Sequence, residues 1–151
     1  GHVSARPEGE VKRELQKLAL VSIEQLEQSP GFRWRREDPF DKDASWAGFD
    51  WGVARVDGRT AEEFRNMLGE ERPGATAIAF AADAVWLGTE RGLFRWDRRN
   101  RFWARVAVAG RHMSPKVTAL NMDQERLNVA VEIDGKAQTL SFDVKKGSWR
   151  E

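Results

Sequence analysis

Two stretches in the C-terminal half repeat each other, and no other feature constrains the fold as strongly. TAIAF at 76–80 lies over TALNM at 118–122, and VWLGT at 85–89 over LNVAV at 127–131, both at an offset of 42 residues. Asp97 lies over Asp143 and Trp103 over Trp149 at an offset of 46. The four-residue difference falls in the loop holding Asp134 and Gly135, where a length change is tolerated. Short apolar runs separated by turn residues predict strands at 76–81, 84–88, 92–97 and 101–108. Four more are predicted at 117–122, 126–132, 137–143 and from 148 onward.

A period in the forties with four short strands per unit is the pattern of a β-propeller blade. VWLGTERGLFRWD at 85–97 resembles the repeat of bacterial two-component-regulator propellers, which reads roughly V-W-I-G-T-x-x-G-L-Y-x-Y-D. Val85, Trp86, Leu87, Gly88, Thr89, Gly92, Leu93, Phe94, Trp96 and Asp97 carry the match. The second unit keeps the Asp and Trp of the outer hairpin but has Ala130 and Val131 in place of the Gly-Thr. The resemblance covers 76–151 and implies an extracytoplasmic sensing or interaction surface without catalysis in the blades. Gly88 would let a neighbouring blade approach. Trp86 and Trp96 would fill the wedge between blades, and Trp103 and Trp149 would cover the hairpins. Asp97 and Asp143 would accept backbone N–H bonds in the turns that follow them. The rings of 85–103 therefore read as core. Arg91, Arg95, Arg98, Arg99, Arg101 and Arg105 fall on outward faces and the turn.

Upstream the pattern is less regular. Val11, Leu15, Leu18 and Leu26 recur at helical spacing through 10–28, and SPG at 29–31 ends the run. Residues 32–58 read as short strands, with Phe49, Trp51 and Val53 on one face. Thr60 and Glu63 have capping-box spacing ahead of Phe64, Met67 and Leu68, which predicts a second, short helix. The expected fold class is thus α+β: antiparallel β-meanders resembling two propeller blades, with an N-terminal amphipathic helix and a second short helix packed on them. The divisions are a tag remnant at 1–2, an N-terminal arm at 3–31, strands plus helix at 32–75, and blades at 76–115 and 116–151. Gly1 in the tag remnant implies a longer natural N-terminus, either trimmed or carrying a signal peptide or anchor. The last strand is short or cut. Two open blades leave edges and apolar faces uncovered. Self-assembly into a ring, membership of a longer protein, or capping by the helices would each resolve this. A capped monomer or small oligomer gives the first 75 residues a role.

The chemistry is sparse. There is no Cys, which excludes disulfides, thiolate metal sites and Cys nucleophiles. The 25 basic and 24 acidic residues leave a net charge of +1, so no global field draws in nucleic acid. No apolar run is long enough for a membrane span. Asp38, Asp41 and Asp43 alternate, but the loop lacks the Gly and Glu of a Ca²⁺ site and reads as a solvated acidic turn. No metal or cofactor is expected, and the chain is not expected to be an enzyme. Blade geometry instead nominates Thr89, Glu90, Arg91, Arg111, His112 and Asp134 as a candidate ligand site on one loop-bearing face. The functional expectation is a non-catalytic binding or sensory module, periplasmic or extracellular, with a protein or glycan partner; the cytosol is compatible too. The alternative is a structural domain that self-associates through open blade faces and the N-terminal helix into a homo-oligomer.

Overall fold

The structure, a computed structural model, describes residues 19–20, 22–58, 60–67, 70–71 and 73–150. Among these, 62% lie in strands and 4% in helix. The chain begins with β1 (Ala19–Leu20) and α1 (Ile23–Glu27). The first sheet then follows as β2 (Phe32–Glu37), β3 (Ala44–Phe49), β4 (Gly52–Asp57) and β5 (Thr60–Phe64), with β1 paired on the edge of β5. A small ladder of β6 (Asn66–Met67) and β7 (Glu70–Glu71) leads out of it. The second sheet is β8 (Ala75–Phe80), β9 (Ala84–Thr89), β10 (Gly92–Asp97) and β11 (Phe102–Val106). The third is β12 (Lys116–Asp123), β13 (Arg126–Ile133), β14 (Lys136–Asp143) and β15 (Ser148–Arg150). In each sheet, four consecutive strands run antiparallel in chain order.

The three sheets stack. Trp46, Val53 and Phe64 of the first sheet pack against Val85, Leu87, Phe94, Trp96 and Trp103 of the second. The opposite face of the second sheet, with Trp86 and Leu93, packs against Val117, Leu127, Val129, Val131 and Leu140 of the third. The outer side of the first sheet, with Ala47, Phe49, Ala54 and Val56, packs with Leu26 of α1. Trp46 and Trp103 are fully buried, and each removes on the order of 200 Å² from water, worth about 5 kcal/mol before entropy. Gly88 sits where the second and third sheets meet. A Cβ there would lie 2.4 Å from Val117 Cγ1, so only glycine allows this approach.

The stack shows a third copy of the repeat. SWAGFDWGVARVD at 45–57 stands at a constant offset of 40 from VWLGTERGLFRWD at 85–97. Trp46, Gly48, Gly52, Arg55 and Asp57 fall on Trp86, Gly88, Gly92, Arg95 and Asp97. Gly52 and Gly92 both follow two-residue turns with positive φ, +145° and +128°. Each first strand also carries a bulge at the same register, between Phe32 and Trp34, Ala75 and Ala77, and Val117 and Ala119.

The α+β expectation is therefore corrected to an almost all-β fold with one short helix among the described residues. The predicted helix after Thr60 is a strand, with Val53 paired to Phe64 and Val56 to Ala61. Ala61 and Phe64 face opposite cores, so both are buried without alternation, and their spacing imitates a helix. The predicted helix over 10–28 is helical at Ile23–Glu27 but overturned at Ala19–Leu20. Ala19 and Leu20 pair with Ala61 and Thr60 as strand. Helix begins only after Ser22, whose Oγ accepts from the Gln25 N–H at 3.0 Å while the Gln25 side chain accepts from the Ser22 N–H. Residues 10–18 of that prediction lie outside the described residues. Among the described residues, α1 packs on the first sheet through Leu26 rather than on the two C-terminal sheets. Phe49 and Val53 lie on opposite faces, because the turn at Asp50–Trp51 separates them.

Candidate functional site

The register places the nominated residues at one end of the stack. The β9–β10 turn, the β13–β14 turn and the link between β11 and β12 all lie at the ends of the strands where the first strands begin. Thr89 is fully buried there. Its hydroxyl donates to the Gly92 carbonyl at 2.9 Å and accepts from the Arg91 N–H at 3.0 Å, so it shapes the turn. Glu90 projects into solvent and accepts from Arg33 at 2.7 Å. Arg33 also donates to the Ala75 carbonyl at 3.1 Å and so ties the first sheet to the second.

Arg105 knits this end together. One of its terminal nitrogens donates to the carbonyls of Arg91 and Met113, at 3.2 and 2.6 Å, and to Ser114 Oγ at 3.0 Å. The Glu90–Arg91 turn and the loop carrying Arg111 and His112 are thereby held side by side. Arg111 reaches back to the Ala109 carbonyl at 3.3 Å, and the His112 backbone pairs with Val108. Asp134 occupies the exposed tip of the next hairpin with φ of 54°. Arg33 and Arg105 were not nominated from the sequence. Their signal was cationic residues one strand-length away from loops that must be anchored.

The opposite end holds a different constellation. Asp38 is fully buried at its side chain and accepts a bidentate pair of hydrogen bonds from Arg98, at 2.8 and 2.9 Å. It also accepts from Trp46 Nε1 at 3.2 Å and from the Phe40 N–H at 3.0 Å. Arg98 donates further to the Ala81 carbonyl at 2.9 Å. Burial alone would raise the Asp38 carboxyl, but the bonds from Arg98, the Phe40 backbone and Trp46 outweigh it and hold the group below its ordinary value. The solvated-turn reading thus fails for Asp38, and Arg98 is a partner between sheets rather than an outward-facing residue. Asp41 pairs with Arg55 at 2.7 Å. Among the described residues no three His, Cys, Asp or Glu side chains group as a metal site would need.

The repeat residues act in the framework. Trp86, Trp96 and Trp103 are buried. Asp97 accepts from the N–H groups of Asn100 and Arg99, both at 2.9 Å, and these bonds lower its pKa, the one from Asn100 most. Asp143 likewise accepts from Lys146 and Lys145. Trp149 packs half-buried on Phe142, ring centroids 4.8 Å apart.

These features define a stack of four-stranded antiparallel sheets with a loop-bearing end. No family model matches the chain, and no curated protein does. Solved structures do. One is the extracellular domain of a hybrid two-component system of B. thetaiotaomicron, at TM-score 0.63 and 18% identity, covering 80% of this chain and 16% of that one. Another such domain from the same organism matches at TM-score 0.65 and 14% identity, covering 89% of this chain and 20% of that one. At these identities the likeness is one of fold. The chain spans a fifth or less of the length of those domains. Among the described residues no helix is long and apolar enough to cross a membrane.

Proposed function

We propose that the chain is a non-catalytic sensory or binding module whose three sheets are β-propeller-type blades, presented outside the cytoplasm. The observation that carries this reading is the stacking of three consecutive meanders with the same strand and bulge register, the first two also sharing their Trp and Gly, in a fold similar to extracellular domains of two-component systems. Blades of this kind are scaffolds, and their loops carry recognition. Recognition falls to the end carrying Glu90, Arg91, Arg111, His112 and Asp134. Its mixed charge suits a polar partner, either a glycan or a protein segment.

Probing one array of glycans and one of peptides with the labelled protein tests this. Saturable binding to one class is expected, weakened by about tenfold or more in the Arg111→Ala/Asp134→Ala variant at unchanged melting temperature. Absence of a saturable ligand in either class, or full affinity in the variant, refutes the assignment.

A further inference from the structure

The outward face of the third sheet breaks the pattern by which the first two sheets accept their neighbours. The pairs Phe32–Phe49, Ala75–Thr89 and Val117–Val131 occupy equivalent register positions ahead of each bulge. Counting back from them, the residue one before is Gly48, Gly88 and then Ala130, and the residue three before is Trp46, Trp86 and then Asn128. Trp46 and Trp86 face the next sheet in the stack. Asn128 takes that position where no described sheet follows.

The bulge residue changes role in the same way. Arg33 and Thr76 reach across to the first strand of the next sheet, donating to the carbonyls of Ala75 at 3.1 Å and Val117 at 2.6 Å. Thr118, at the third bulge, turns back on its own sheet and donates to the Ala130 carbonyl at 3.2 Å. Across the face, Asn121, Asn128, Ser141 and Arg150 stand opposite one another on four strands in a polar row. The inward rows of the same strands are apolar, with Leu120, Val129 and Leu140 in register.

We infer that the outward face of the third sheet is a built stop: it is a hydrated polar surface, and no sheet of the same kind packs on it, from this chain or from another copy. Covering the face would strand Asn and Arg groups away from water, and no indole or glycine is present to make the contact favourable. Stacked repeats elsewhere in nature require such a polar outer face on their last unit. The inference rests on the blade reading only for the equivalence of the sheets. It specifies an open arc rather than a ring closed through this face.

The chain contains no Cys, so a single introduced thiol reports on the face without background. Asn128→Cys is alkylated in this chain, and in the longest natural product that carries it, under native conditions. Labelling within about tenfold of the rate in denaturant is expected, as for an exposed thiol. Protection of more than about a hundredfold overturns the inference. Ser141→Cys, on the same row, gives a second reading should the first variant fold poorly. Protection of both thiols would indicate a sheet packed on this face and would leave the blade reading standing, so the two ideas fail separately.

Discussion

Asp38→Ala is the sharpest test of how the first two sheets are held together. The carboxylate accepts four hydrogen bonds, two from Arg98 and one each from Trp46 Nε1 and the Phe40 N–H. Removing it leaves Arg98, whose side chain is 18% exposed, without its counter-charge. It also leaves a fully buried indole N–H without an acceptor. Losing one partner of a buried pair costs about 3–5 kcal/mol, and Arg98 recovers part of that by turning to water, so a loss of roughly 2–4 kcal/mol is expected. For a domain of this size that is a fall of roughly 5–15 °C in melting temperature. Urea unfolding followed by Trp fluorescence measures it directly, since Trp46 is itself a reporter. A double-mutant cycle of Asp38→Asn with Arg98→Met should return a coupling of about 1–3 kcal/mol. The pH dependence follows from the direction of the shift. Folded Asp38 titrates below its unfolded value of 3.8, so its contribution is complete above that value and disappears as pH falls through the lower folded value. A loss under about 0.5 kcal/mol in Asp38→Ala, within the range of ordinary surface changes, would refute the clamp.

Three further outcomes follow from the packing. Gly88→Ala should destabilise by about 1–3 kcal/mol, because the new methyl meets Val117 between two sheets that cannot both give way; calorimetry that finds it neutral would deny the close approach. Trp46→Phe should cost more than Trp103→Phe in chemical denaturation, although both indoles are fully buried, because only Trp46 donates a hydrogen bond while Trp103 Nε1 has no partner. Glu90→Gln should change stability by under about 1 kcal/mol, since its ion pair with Arg33 is exposed; a larger change that persists in high salt would show that the pair is structural.

Much of the strand layout is legible without coordinates. The eight strands predicted from residue 76 onward agree with the observed ones to within two residues at nearly every boundary, because turns such as DRRN and VKKG are set by local chemistry. The orientation of Arg95 and Trp96 to opposite faces of β10 follows from the two-residue period of a strand. The constant offset between 45–57 and 85–97 is also present in the sequence, but masked because Ser45, Ala47 and Phe49 replace Val85, Leu87 and Thr89.

Other features belong to the tertiary structure alone. A strand packed between two cores loses its alternation, so Ala61 and Phe64 carry no local mark that separates strand from helix; pairing with β4 decides it. Asp38 and Arg98 are 60 residues apart, and nothing near either one announces a buried pair. The substitution of Asn128 for tryptophan is visible in the sequence. Its meaning is not, because only the stacked sheets show that this position lies on the face of the third sheet turned away from the second. Local turn chemistry and strand period act within a few residues and so can be read from the chain. Burial on both faces and ion pairing between sheets depend on which surfaces meet, and that is settled only when the sheets pack.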